Sequence, residues 1–149
     1  MRALALAAVL AVATAPAAIA ETVSPSAVKF EDGSITQSLT GVAGDPVKGK
    51  EWFTGRKLGN CLACHKNSDA STQSFHGEVG PELDGVAERW TEAELRGIVT
   101  NAKMMFDGTI MPAFYKDAGY TRPLKKFDGK TILSAQQIED IVAYLTTLK

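Results

Sequence analysis

The sequence predicts an all-α fold of short helices joined by long loops. Three observations predict it. Helix-start signals occur at three places, apolar residues recur at i, i+3 and i+4 behind two of them, and strand-type alternation is weak everywhere.

The chain of 149 residues opens with "MRALALAAVLAVATAPAAIAET". One cation, Arg2, precedes an uncharged run of Leu, Val and Ala, Pro16 breaks the run, and Ala18-Ile19-Ala20 forms a small-x-small site before Glu21. That is the pattern of a secretory signal peptide over residues 1–20, so the mature chain is expected to be exported, with no membrane attachment after cleavage. Removing those residues leaves 129, enough for one domain. Only Arg2 is lost among the charges, so the net charge of −1 becomes −2. That balance excludes a basic nucleic-acid binder and a polybasic membrane surface.

Residues 21–44, "ETVSPSAVKFEDGSITQSLTGVAG", are polar and turn-rich, and read as an extended arm. The domain proper is expected over 45–149. Asp45 caps a first helix with Pro46 at its first position, "DPVKGKEWFTGR". A second begins at "WTEAELRGIVTNA", where Thr91 and Glu94 form a capping box, Trp90 and Leu95 a hydrophobic staple, and Leu95, Ile98 and Val99 one face. The third, "LSAQQIEDIVAYLTTLK", repeats the device with Ser134 and Gln137, and with Leu133 and Ile138. Its apolar face is Ile138, Ile141, Val142, Leu145 and Leu148. Between them, residues 58–89 and 104–132 carry little regular pattern. Loops that long argue against a plain packed core. Something other than three short helices must fill the centre.

Both cysteines lie in "GNCLACHK", residues 59–66, with His65 directly after the second. A Cys61–Cys64 redox disulfide belongs with βαβ units, which are absent, and leaves His65 unexplained. A zinc site drawing on Cys61, Cys64, His65 and His76 does not match usual ligand-pair spacings. Covalent attachment of one haem c uses every residue in the motif. Two thiols three apart add across the two vinyl groups, and the adjacent histidine supplies an axial nitrogen. Methionines 104, 105 and 111 and His76 are the candidates for the sixth iron ligand. Met111 follows His65 by 46 residues in "GTIMPAFYK", where Gly108 and Pro112 exclude helix and leave a loop free to face the metal. Met104 and Met105, at the end of the second helix, read as core packing, and His76, in "STQSFHGEVG", as an exposed loop histidine. Metal ligands are therefore expected to be His65 and Met111. A thioether ligand raises the potential above that of a bis-histidine site, and two filled axial positions favour electron transfer over oxygen or peroxide chemistry. A gas sensor would require ready displacement of Met111. No catalytic Ser/His/Asp set, acid pair or second metal cluster is visible.

These residues resemble the class I c-type cytochromes: a first helix with Gly49 and Phe53, "CLACHK", "GPELDG" at 80–85, a Met-Pro ligand loop and a final "IVAYL" helix. The resemblance implies that the first and last helices cross, with Gly49 and Phe53 against Ile141 and Tyr144. It also assigns the Pro81 carbonyl to His65 Nδ1–H, which orients the ligand, and places Leu83 against the haem face. From about residue 29 onward, "SITQSLTGVAGDPVKGKEWF", "GNCLACHK", "TIMPAFYK" and "ILSAQQIEDIVAYLTTL" together are similar to the mono-haem SoxX subunits of SoxAX cytochrome complexes. That family implies a periplasmic heterodimer with a SoxA-type cytochrome subunit. Its complex is an L-cysteine S-thiosulfotransferase, coupling thiosulfate to a cysteine of a carrier protein and passing electrons to a downstream c-type cytochrome. The alternative is a free-standing soluble class I cytochrome c. Copurification with a second cytochrome discriminates the two.

Overall fold

The structure, a computed structural model, describes residues 21–149. The expected signal peptide lies outside the described residues. Among the described residues there are four α-helices: α1 (Pro46–Thr54), α2 (Val86–Arg89), α3 (Glu92–Asn101) and α4 (Ala135–Leu145). Short 3₁₀ turns interrupt the connections, and the extended pairing found there is one isolated bridge between Glu31 and Ser34. No described helix is long and apolar enough to cross a membrane. The all-α expectation holds.

Each long helix starts where its cap residue stands. Asp45 Oδ1 accepts from the amides of Val47 and Lys48 at 2.9 and 3.3 Å, with Pro46 in the first turn. Thr91 Oγ1 accepts from Glu94 N at 3.3 Å while Glu94 Oε2 accepts from Thr91 N at 2.7 Å. The Thr91 amide, and then its hydroxyl, which also donates to Glu94 Oε2 at 2.7 Å, hold the Glu94 carboxyl below its usual range. Ser134 and Gln137 exchange the same pair of bonds at 3.2 and 2.8 Å. Such caps satisfy amides that have no partner within the helix, each worth about 1 kcal/mol. α4 stops at Leu145, short of its sequence pattern. Leu148 is still buried, because its amide bonds Leu145 O at 3.1 Å and its carbonyl accepts from Ala87 N at 3.0 Å. α2, only four residues long, has too few positions to show a period and was not expected.

α1 crosses α4 at Gly49. A side chain there would collide with the Asp140 carbonyl and lie 2.8 Å from Tyr144 Cβ, so only glycine allows this approach. Phe53 meets Tyr144 edge-on with ring centroids 5.4 Å apart. Asp140 ties the crossing down: it accepts from Asp45 N at 2.9 Å and from Trp52 Nε1 at 3.2 Å. Ile138, Ile141, Val142 and Leu145 are buried along α4, each side chain contributing roughly 1.5–3 kcal/mol through area removed from water.

Residues 21–44 lie across α3 and α4. Ile35 and Leu39 are 2% and 1% exposed. Ile35 N donates to Ala93 O at 2.9 Å, and the Gly33 carbonyl sits so close to Gly97 that a side chain on Gly97 would collide with it. Arg96 and Glu139, both buried, form an ion pair at 3.0 Å; Glu139 also accepts from Leu39 N at 2.7 Å, and Arg96 Nη1 donates to Ile35 O at 3.0 Å. The remaining guanidinium nitrogen bonds Glu92. The first half of the arm is tied in as well, since Val23 N donates to Leu39 O at 2.8 Å and Val23 O accepts from Tyr115 Oη at 2.7 Å.

Candidate haem site

The stretch Gly59–Lys66 enters from α1 through a tight reversal. Asn60 adopts a left-handed conformation, φ 48°, and its amide bonds Gly55 O at 3.1 Å. Gly59 lies beneath it: a Cβ there would stand 2.7 Å from Trp52 O and 3.3 Å from Cys61 Sγ. The chain then makes one helical turn, with Cys64 N and His65 N both donating to Cys61 O, at 3.1 and 2.9 Å. In such a turn positions i, i+3 and i+4 share a face. Cys61, Cys64 and His65 are therefore neighbours because of their spacing. Neither cysteine is in a disulfide, and among the described residues no group of three or more His, Cys, Asp or Glu is arranged to hold a metal ion. Burial pushes the Cys61 thiol up to about 12.

A second loop closes on this turn. Gly77 N donates to Leu62 O and Gly80 N to Cys64 O, both at 2.8 Å, and Leu83 N to Lys66 O at 2.9 Å. His65 Nδ1 lies 2.7 Å from Pro81 O. That bond requires the hydrogen on Nδ1 and leaves Nε2 as the nitrogen with a free lone pair. Gly80 packs flat on the imidazole, and a Cβ there would stand 2.7 Å from Nδ1. Leu83 is half-buried against the core. Asp84 accepts from Ser68 N at 2.8 Å, and Lys66 pairs with Glu82 at 3.0 Å, so both sides of the loop are clamped.

Met111 is half-buried and packs against the same core as Cys61 and Leu83, while its neighbour Ile110 is 78% exposed. Met104 and Met105 separate. Met105 is half-buried with its Cβ against Gly33, whereas Met104 is 51% exposed and so is not the core residue expected. His76 also differs from expectation. It is half-buried, with Nδ1 accepting from Asn67 N at 3.3 Å and Nε2 donating to Ala70 O at 3.1 Å. Both ring nitrogens are occupied by the loop itself. Three features had no reading from the sequence: the buried Arg96–Glu139 pair, the chain Asn67–Tyr144–Asp69–Lys50, and Lys103 beside the Met111 loop. In that chain Tyr144 Oη accepts from Asn67 Nδ2 at 2.9 Å and donates to Asp69 at 2.7 Å. Burial and the Asp69 bond push the phenol up, and Lys50, then Tyr144, hold the Asp69 carboxyl down. Nothing in the sequence marks the ion pair, since Glu139 falls off the face that Ile138, Ile141 and Val142 define.

The residues fit a haem. Leu58, Phe75, Val79, Met104 and Phe106 are exposed apolar side chains on the segments 58–89 and 104–132, which carry the candidate ligands. An apolar macrocycle is the kind of group such side chains cover.

A c-type cytochrome is the class that this fold and this turn define. A family profile described as Cytochrome c matches residues 46–149, and the chain belongs to that family. It carries one covalently bound haem c, attached at the Cys-x-x-Cys region of Cys61 and Cys64. Among solved structures, the chain is similar to one in "Crystal structure of SoxXA from P. pantotrophus", at 50% identity and a TM-score of 0.80, covering 85% of this chain and 97% of that one. The likeness bears out the resemblance to SoxX read from the sequence. A comparison with curated proteins returned no match.

Proposed function

We propose that this chain is the electron-transfer haem c subunit of a periplasmic SoxXA-type complex, paired with a SoxA-type cytochrome subunit. The observation that carries the reading is the 50% identity to the SoxXA chain over 97% of its length. His65 and Met111 are the iron ligands, Cys61 and Cys64 the attachment points, and Pro81 and Leu83 the groups that orient the ligand and line the haem face. Bound haem supplies a one-electron couple. The protein's part is to hold that couple steady. Pro81 fixes the tautomer and plane of His65. Gly80 blocks rotation of the ring. The Met111 thioether favours the reduced state.

The chemistry of the proposed complex places the reacting site elsewhere. Joining a carrier thiol to thiosulfate forms one S–S bond and releases one proton and two electrons. Both cysteines here are used in attachment, so no thiol remains in this chain to bind sulfur. A single haem accepts one electron at a time. The chain is thus an electron outlet toward a downstream c-type cytochrome, and the L-cysteine S-thiosulfotransferase step belongs to the partner. The test is a tagged pull-down from the native periplasm with haem staining, followed by turnover assays. A second cytochrome should copurify, and thiosulfate-dependent turnover with a carrier thiol should need it. Isolation of this chain alone would favour a free-standing carrier, and turnover by this chain alone would overturn the outlet role.

A further inference from the structure

We propose that Lys103 is the positioning residue for Met111, holding the loop in the roll that keeps its thioether turned inward. This rests on the reading that Met111 is an iron ligand. The Lys103 ammonium donates to two carbonyls, Thr109 O at 3.0 Å and Met111 O at 2.7 Å. Residues two apart in an extended chain point their carbonyls the same way. One bond to such a segment would leave it free to roll about its axis. Two bonds to one cation do not, because a roll that keeps one carbonyl in place carries the other away. Fixing the carbonyls fixes the Met111 Cα–Cβ direction, with Ile110 on the outer side at 78% exposure.

The rest of the loop cannot supply this constraint. Met111 N reaches only Thr109 Oγ1, at 3.2 Å, which is a bond within the loop. Pro112 has no N–H to give. The next fixed points come after it, where Ala113 O accepts from Tyr120 Oη at 3.0 Å, Tyr115 N donates to Thr100 O at 3.1 Å and Phe114 O accepts from Ile132 N and Leu133 N, each at 3.0 Å. On the other side Gly108 adopts φ 71° with open space around it, a natural hinge. Lys103 bridges that hinge from a rigid base. It sits in the 3₁₀ turn Ala102–Met104, where Ala102 is fully buried and Ala102 O accepts from Met105 N at 3.2 Å and Phe106 N at 2.9 Å. Asn101 Oδ1 caps the turn by accepting from Lys103 N at 3.3 Å.

The test uses the ferric holoprotein and imidazole, which binds iron only when the Met111 thioether has left, so its binding rate reads how often the loop opens. Lys103→Ala should accelerate imidazole binding on the order of tenfold, equivalent to about 1.4 kcal/mol on the opening equilibrium. Lys103→Arg, whose guanidinium can span two carbonyls, should stay near wild type. Lys103→Gln, which retains donors without the charge, should fall between and remains informative if the alanine variant is poorly folded. The far-UV thermal midpoint should move little, because the side chain is exposed and buries no core. Met111→Ala is the control. If it keeps the long-wavelength ferric band, the ligand reading fails. If it loses that band while Lys103→Ala and Lys103→Gln take up imidazole at the wild-type rate, or Lys103→Arg is as fast as Lys103→Ala, the positioning role is overturned.

Discussion

The arm, α3 and α4 are joined by buried side chains that bond one another. The loops bearing Cys61 to Leu83 and Met104 to Met111 are held largely through backbone bonds and leave apolar side chains facing outward. In the first region Arg96, Glu139, Ile35 and Leu39 satisfy each other with less than a tenth of any of them exposed. In the second, Phe75 and Val79 are each more than half exposed. The difference teaches that the chain supplies one half of its own core and leaves the other half to the cofactor. The Lys50–Asp69–Tyr144–Asn67 chain is the seam between them, joining α1 and α4 to the loop that follows His65.

The largest expected effect comes from removing what fills the second region. Cys61→Ser combined with Cys64→Ser, or expression without haem-attachment machinery, should give a largely unfolded chain by far-UV circular dichroism. A cooperative thermal transition with native helix content would mean that the first region stands alone. Breaking the first region is the next test. Glu139→Leu leaves the buried Arg96 with Glu92 as its one carboxylate partner and frees Leu39 N, and should cost about 3 kcal/mol in denaturant unfolding. Because the damage lies away from Met111, the ferric spectrum of the folded fraction should be unchanged. A cost near zero would mean that the arm is not fastened through this pair.

A smaller effect is expected at the rim of the second region. Residues 112–133 carry Lys116, Arg122, Lys125, Lys126 and Lys130 against Asp117 and Asp128, a net +3. None of the five cations is in a salt bridge among the described residues; Lys116 and Lys126 lie over the rings of Tyr120 and Phe127, at 5.1 and 4.6 Å. A cationic surface beginning next to the Met111 loop can steer an acidic redox partner. Replacing Lys125, Lys126 and Lys130 with Glu should slow electron exchange several-fold at low salt, with the gap closing as screening increases. Equal stopped-flow rates at low ionic strength would reduce the segment to a solvated loop.

The two regions also differed in how far the sequence disclosed them. The caps at Asp45, Thr91 and Ser134 and the Cys61–His65 turn were legible because each is a local code, written within about five residues. The approach of Gly49 to α4 and the Pro81 bond to His65 entered through family resemblance, since no local pattern announces a contact across 16 or 91 residues. The fastening of the arm was not legible. Arg96 and Glu139 read as solvent-facing charges until they are seen to neutralise each other in the interior, and Ile35 and Leu39 have no helical period to mark them. Lys103 had no sequence signal at all, because its partners are backbone carbonyls and any residue could provide those. His76 was misread for a related reason: its ring bonds the backbone of its own loop, which leaves no trace in residue type.

The central claim is that the second region is completed by one haem held between His65 and Met111. The most direct measurement is the long-wavelength ferric absorption band of Met111→Ala, taken with a potentiometric titration of the same protein. The band should vanish and the reduction potential should fall, because a thioether that favours ferrous iron has been lost, while Met104→Ala and Met105→Ala keep both nearly intact. A Met111→Ala protein that retains the band and the wild-type potential would contradict the account.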